Sequence, residues 1–467
     1  MVKALKQKPK AFYGAMFSLM IPMIVQNLIQ QSVAFADNFM VGFTAAGELN
    51  LAAVTVATAP FFVIMVLSFG IQSGVGILAA QYWGKEDQKS ISKILGVGFY
   101  FALVAGIIAV VALLIFPAPI MHLISDNYEV AELAAKYARI AAVGQFFAGF
   151  NSTYIALQRS CENTKIGLIS LTATSLLNLF LNWVFIFGNL GAPEMGVEGA
   201  ALATLISHVA GSIILIVYAL ADKRLRLSLK LLIKPGLVIT RDFFKYALPV
   251  IINETFWGLA LMFYPMILGH MKNSDALHAA YNIAGSVEKI FTVAVFACGN
   301  AASVMVGNAI GAGEDKESVF QTAKCLAIVS FLMGLVQALL LVLATLFLMG
   351  PVIFPMFKLS DYGAESATVM LFLLSAVVPF RSIGFALGVG ALRGGGDTKA
   401  VMIIDIATLY LVALPIGLIT SRIFNSGIIG VWCVYGSILL EDVSKTLILI
   451  WRTAGKKWIR NVTRELA

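Results

Sequence analysis

Asp37 stands in an apolar run without a basic neighbour, P-M-I-V-Q-N-L-I-Q-Q-S-V-A-F-A-D-N-F-M-V-G (Pro22–Gly42). Gln26, Gln30, Val33 and Asp37 are spaced i, i+4, i+7 and i+11, so a helix carries them as one stripe with three polar members. At 1.5 Å per residue, Asp37 lies about 22 Å along that helix from Pro22. An Asp at the centre of a membrane helix costs roughly 2.5–3.5 kcal/mol on the insertion scale, so the stripe must face other helices or a wet cavity rather than lipid. Two further stretches offer it company. S-L-L-N-L-F-L-N-W (Ser175–Trp183) puts Asn178 and Asn182 one turn apart on one face, and G-V-E-G-A-A-L-A-T offers Thr204. One carboxylate, two amide carbonyls and a hydroxyl are the hard oxygen donors that a small cation such as Na⁺ needs. The same groups equally suit a protonated Asp37 held by hydrogen bonds, or polar contacts that only join helices, worth about 0.6 kcal/mol each.

A second constellation lies in P-V-I-I-N-E-T-F-W-G-L-A-L-M-F-Y-P (Pro249–Pro265), where Glu254, Trp257, Leu261 and Tyr264 fall close to one helical face. An acid beside aromatics suits a cationic, partly apolar ligand, through charge and cation–π attraction. Glu254, Trp257, Tyr264 and Gln30 are therefore candidate substrate contacts. The alternative for Glu254 is an acid satisfied by a neighbouring helix. Glu288 and Lys289 are adjacent and cannot face each other on a helix. Arg381, Asp405, Glu441, Asp442 and Lys445 read as structural.

The elements that must position these residues follow from composition. Of 467 residues, 60% are hydrophobic and 12% charged, against about 25% charged in soluble domains. The chain is a polytopic membrane protein. Its net charge of +8 sits in short loops between apolar runs, which is a topology signal and not a nucleic-acid surface. Cys161, Cys298, Cys325 and Cys433 show neither a disulfide framework nor metal-ligand spacing. No Walker A, HExxH or GxSxG motif is present, so neither direct ATP hydrolysis nor enzymatic chemistry is expected. The lysine-rich N-terminus leads into a run too long for a signal peptide and is read as the first membrane helix.

Apolar runs predict twelve helices, centred on 14–41, 51–81, 93–116, 133–157, 165–188, 198–221, 242–270, 279–309, 321–350, 364–391, 400–421 and 427–452. Most Lys and Arg fall on the side of the N-terminus, which predicts cytoplasmic termini. Between helices six and seven runs the basic connection Asp222–Arg241, whose interleaved apolar residues suit the inner membrane surface.

The two halves look alike. Pro22 and Gly42 match Pro249 and Gly269, and Gly84 matches Gly311, each 227 residues on. L-Q-R-S-C-E-N-T-K (Leu157–Lys165) matches A-L-R-G-G-G-D-T-K (Ala391–Lys399) at 234, and G-V-E-G (Gly196–Gly199) matches G-I-I-G (Gly427–Gly430) at 231. Three matches in chain order indicate an internal repeat. Six helices per repeat give both halves the same orientation, related by an axis along the membrane normal. The expected architecture is all-α: a six-helix lobe at 1–221, a cytoplasmic connection at 222–241 and a second six-helix lobe at 242–467.

These motifs, with Q-Y-W-G-K-E-D (Gln81–Asp87), resemble the multidrug and toxic compound extrusion (MATE) transporters over essentially the whole chain. A-L-R-G-G-G-D-T-K is the most specific, and N-E-T-F-W is similar to bacterial members near the NorM branch. The resemblance implies two lobes forming a V, a central substrate chamber, a bacterial inner-membrane location and export of organic compounds against inward H⁺ or Na⁺. It assigns ion coupling to Asp37, Asn178, Asn182 and Thr204, with Asp37, Asn178 and Asn182 as Na⁺ ligands if sodium is the ion. No cofactor is expected beyond that ion. Small organic molecules and the bilayer are the expected partners, with the monomer as the working unit. Glu254 stands about a turn earlier than that branch suggests, and R-S-I-G-F (Arg381–Phe385) replaces a tenth-helix acid. A fixed positive charge at Arg381 argues for coupling in the first lobe. The rival is a lipid-linked saccharide flippase of the same superfamily, which would favour a more basic cavity than Asp37 and Glu254 provide.

Overall fold

The apolar runs form helices in a computed structural model that describes residues 9–44 and 46–464, and no strand occurs among the described residues. The first half comprises α1 (Lys10–Gly42), α2 (Gly47–Thr58), α3 (Phe61–Gly84), α4 (Gln88–Ile115), α5 (Pro117–Ile124), α6 (Tyr128–Ser160), α7 (Lys165–Phe187) and α8 (Gly196–Ala221). A short α9 (Leu229–Ile233) lies in the connection. The second half comprises α10 (Leu237–Gly269), α11 (Ser274–Phe291), α12 (Val293–Gly311), α13 (Lys316–Met356), α14 (Asp361–Leu392), α15 (Thr398–Ile423) and α16 (Gly427–Ala454). Eleven of these are long and apolar enough to cross a membrane. The 28-residue α16, which carries Glu441, Asp442 and Lys445, is not among them.

The structure departs from the expected helices at 51–81 and 279–309, which are each two helices. The first breaks ahead of Pro60, which lacks an N–H and stands at the N-cap of α3. The second breaks at Thr292, whose hydroxyl donates to the Glu288 carbonyl at 2.8 Å. Both breaks fall in the second helix of a repeat.

The repeat extends to backbone geometry. At the end of α3, the amides of Lys85, Glu86 and Asp87 donate to the carbonyls of Gln81, Trp83 and Tyr82. The amides of Ala312, Gly313 and Glu314 donate to Asn308, Ile310 and Ala309, the same pattern 227 residues on. After α6, Cys161, Glu162 and Asn163 donate to Leu157, Arg159 and Gln158, and Gly395, Gly396 and Asp397 repeat this at 234 with Ala391, Arg393 and Leu392. The turn needs a left-handed residue, supplied by Glu162 (φ 61°) and Gly396 (φ 82°). Gly395 is required for a different reason: a Cβ there would lie 2.4 Å from the Trp458 ring.

Two compact units result. One is Ile21–Ile251; the other joins the described part of Met1–Met20 to Ile252–Arg464. The division runs through α1 and α10, next to Pro22 and Pro249, and not through the 222–241 connection. Within the first unit, Ala53, Ala57, Ala131, Ala134, Ala138 and Ala142 form a seam of small side chains between α2 and α6. Small residues let membrane helices approach closely, where dispersion and not water exclusion drives packing. The connection docks on α4: Tyr100 Oη donates to the Ile233 carbonyl at 2.7 Å, and the Ser228 amide donates to Ser92 Oγ at 3.2 Å. In the second unit, Leu268, Leu277, Leu341, Leu371, Leu374 and Val431 centre the core. Three stretches of α13, α14 and α15 are π-helical, Thr345–Ile353, Ala386–Leu392 and Thr408–Ala413.

Candidate functional site

Asp37 lies on the last turns of α1, half-buried, against α7 and α8. Asn182 Nδ2 donates to Asp37 Oδ1 at 2.6 Å and reaches Asn178 Oδ1 at 3.3 Å. Asn178 Nδ2 reaches Thr204 Oγ1 at 3.3 Å, and that hydroxyl donates to the Ala200 carbonyl at 3.0 Å. All four expected ion-coupling residues therefore form one polar chain, with the spacing of Asn178 and Asn182 on α7 presenting both amides to α1 and α8. The two 3.3 Å contacts are longer than the usual 2.7–3.2 Å, whereas the bond to the carboxylate is short, as charge assistance produces. Asn182 is fully buried, and its Oδ1 has no hydrogen-bond partner among the described residues. Such an oxygen suits a proton donor or a cation. Val41, Ile186, Val197 and Ala200 pack together beside the polar chain, with Tyr137 against them. Tyr137 was not legible as part of this site, because nothing in the α6 pattern marks it.

The rest of the polar stripe divides. Gln26 Nε2 donates to the Thr164 carbonyl at 2.9 Å and pins α1 to the turn before α7, while Gln30 is exposed.

The α10 residues do not gather into one site. Glu254 pairs with Arg393 at 3.1 Å, their side chains 23% and 9% exposed. Tyr264 is 8% exposed and donates to Glu441 Oε2 at 3.1 Å, whereas Trp257 is 42% exposed. Glu254 is thus satisfied by a neighbouring helix, the alternative that the sequence left open.

The remaining embedded charges form a network in the second unit. Arg381 donates to Asp442 Oδ2 from Nε at 2.9 Å and from Nη2 at 2.7 Å, and its Nη1 contacts Glu288. Lys445 Nζ lies 3.2 Å from Glu441 Oε1 and 3.7 Å from Asp405 Oδ1, which belongs to a carboxylate that also accepts from Asn253 Nδ2 at 2.9 Å. Arg381 is therefore neutralised, and its charge is no longer a reason to exclude cations from this unit. Glu288, Asp405, Glu441 and Asp442 outnumber Arg381 and Lys445, an acid excess that sequence pairing did not reveal because the partners come from four helices.

Known proteins share this fold. The MatE family model matches residues 22–184 and again residues 249–419, the two blocks opening on the repeated prolines. A probable multidrug resistance protein NorM of Thermotoga maritima is 25% identical over 454 residues, covering 96% of this chain and 94% of the relative. A NorM of Photorhabdus laumondii is 28% identical over 450 residues, covering 92% of each. An outward-facing multidrug resistance MATE family transporter of the MOP superfamily superposes with a TM-score of 0.83 at 21% identity, covering 95% of this chain and 96% of that one. A mutant of the Vibrio cholerae MATE transporter VcmN gives 0.84 at 17% identity, covering 97% and 98%. With most of its length matched in two repeated blocks, this chain belongs to the MatE family, whose members are transporters and not enzymes.

Proposed function

We propose that this multidrug efflux transporter exports organic, cationic or amphipathic compounds in exchange for H⁺ or Na⁺ bound at Asp37. The observation that carries the reading is the fully buried Asn182, which bonds the carboxylate at 2.6 Å while its own carbonyl oxygen has no partner among the described residues. The side chain that bonds the carboxylate thus also carries an unsatisfied oxygen available to an ion, with Asn178 and Thr204 continuing the polar chain. The ion must bind one transporter conformation better than the other, and a difference of about 1.4 kcal/mol shifts the conformational ratio tenfold. That relatives are named as probable multidrug resistance proteins supports the export of organic compounds. The protein works as a monomer in a bacterial inner membrane with both termini cytoplasmic.

A second reading places a proton or cation in the network around Arg381 and Lys445, where carboxylates are in excess. Efflux of a panel of fluorescent cations from proteoliposomes, with ΔpH and ΔNa⁺ imposed separately, tests the proposal. Uphill efflux under one gradient, lost on changing Asp37, supports it. Efflux driven by neither gradient would overturn it.

A further inference from the structure

The second unit carries an apolar groove of about 410 Å³ between α13, α14 and α16, lined by Phe320, Phe331, Ile383, Leu387 and Ile450, with Lys324 at its rim. Its one other polar side chain, Thr453, already donates its hydroxyl to the Leu449 carbonyl at 2.7 Å. The wall therefore offers almost nothing to a polar ligand and suits a hydrocarbon chain. The groove lies near the start of α13, which begins at Lys316, and the end of α16, which closes at Ala454, so it opens where headgroups meet the hydrocarbon. Ile450, Ala454 and Lys324 are exposed along it.

Its rim is basic. Lys324 forms no ion pair among the described residues. Lys456 Nζ lies 4.9 Å from the centroid of Phe320, a wall residue, and also contacts Glu317. Two ammonium groups face one carboxylate at the mouth of a hydrocarbon slot. The geometry points to a site for an anionic phospholipid of the surrounding bilayer, one acyl chain in the groove and its phosphate at Lys324 and Lys456. A cationic substrate is disfavoured by the same charges. The assignment is independent of the transport reading, because it uses none of the residues of the Asp37 site.

Native mass spectrometry of the full-length protein, titrated with phosphatidylglycerol and with phosphatidylcholine of the same chains, tests it. Tighter binding of phosphatidylglycerol is expected. Lys324→Gln should weaken that lipid about fivefold, the effect of one basic side chain at the membrane surface, and leave phosphatidylcholine unchanged. Ala327→Trp, which fills the groove without touching its charge, should weaken both lipids. If either variant folds poorly, the thermal shift of the parent protein with each lipid decides, and a larger shift with phosphatidylglycerol is expected. Equal affinity of the two lipids for the parent, an equal thermal shift, or no change in either folded variant would overturn the assignment. So would a severalfold gain in lipid binding on removing residues 2–8, since that segment would then be the groove's resident.

Discussion

Replacing Asn182 with Leu keeps the bulk of the side chain and removes both halves of its amide. The lost bond to Asp37 spans 2.6 Å, and a hydrogen bond to a charged group is worth about 1.5–3 kcal/mol. At about 1.4 kcal/mol per factor of ten, the ion occupancy of Asp37 should shift by about 10- to 100-fold. The direction depends on the ion. Na⁺ loses an oxygen ligand, the Asn182 carbonyl that has no partner among the described residues, so the Na⁺ concentration for half-maximal efflux should rise. H⁺ gains instead, because the amide that favoured the bare carboxylate is gone, so half-maximal efflux should need fewer protons. The assay is initial efflux from proteoliposomes across a range of internal and external pH and Na⁺, with protein amounts matched. Unchanged half-maximal concentrations for both ions, in a normally folded variant, would refute the coupling role of this amide.

Three further outcomes follow from the packing. Glu254→Gln leaves Arg393 without its carboxylate and should lower detergent stability by about 1–3 kcal/mol, allowing for partial exposure, with uniform loss across substrates in transport assays. A rise in KM for cations alone, at unchanged melting temperature, would make Glu254 a substrate contact. Gly395→Ala drives a Cβ into the Trp458 ring and should cost about 1–3 kcal/mol in a thermal melt, and an unchanged melt would contradict the close approach. Ser228→Cys, in a cysteine-free background, should react with an impermeant thiol reagent only after the cytoplasmic face is opened, and labelling from outside intact cells would reverse the proposed topology.

The repeat was legible because most of its matched residues fall at helix ends and turns, where backbone geometry restricts residue type: Gly196 and Gly427, for instance, both adopt positive φ, while Pro22 and Pro249 mark the same place inside α1 and α10. The polar cluster at Asp37 was legible for a similar reason, since an uncompensated acid and two amides four residues apart stand out against an apolar background. The breaks at Pro60 and Thr292 were not, because the two pieces of each helix share one hydropathy run. Nor was the fate of Glu254, whose partner Arg393 is 139 residues away and on another helix. The division through α1 and α10 was hidden as well: periodicity shows that a helix is amphipathic or apolar, but not which neighbour each of its halves packs against.

Asp37→Asn tests the central claim most directly. The amide keeps the size of the side chain, and its oxygen can still accept from Asn182, but it neither titrates nor carries the charge that holds Na⁺. In proteoliposomes the variant should be folded, bind substrate and exchange it downhill, yet fail to concentrate it under either ΔpH or ΔNa⁺. Accumulation of substrate against its gradient to the level of the parent protein would contradict the account.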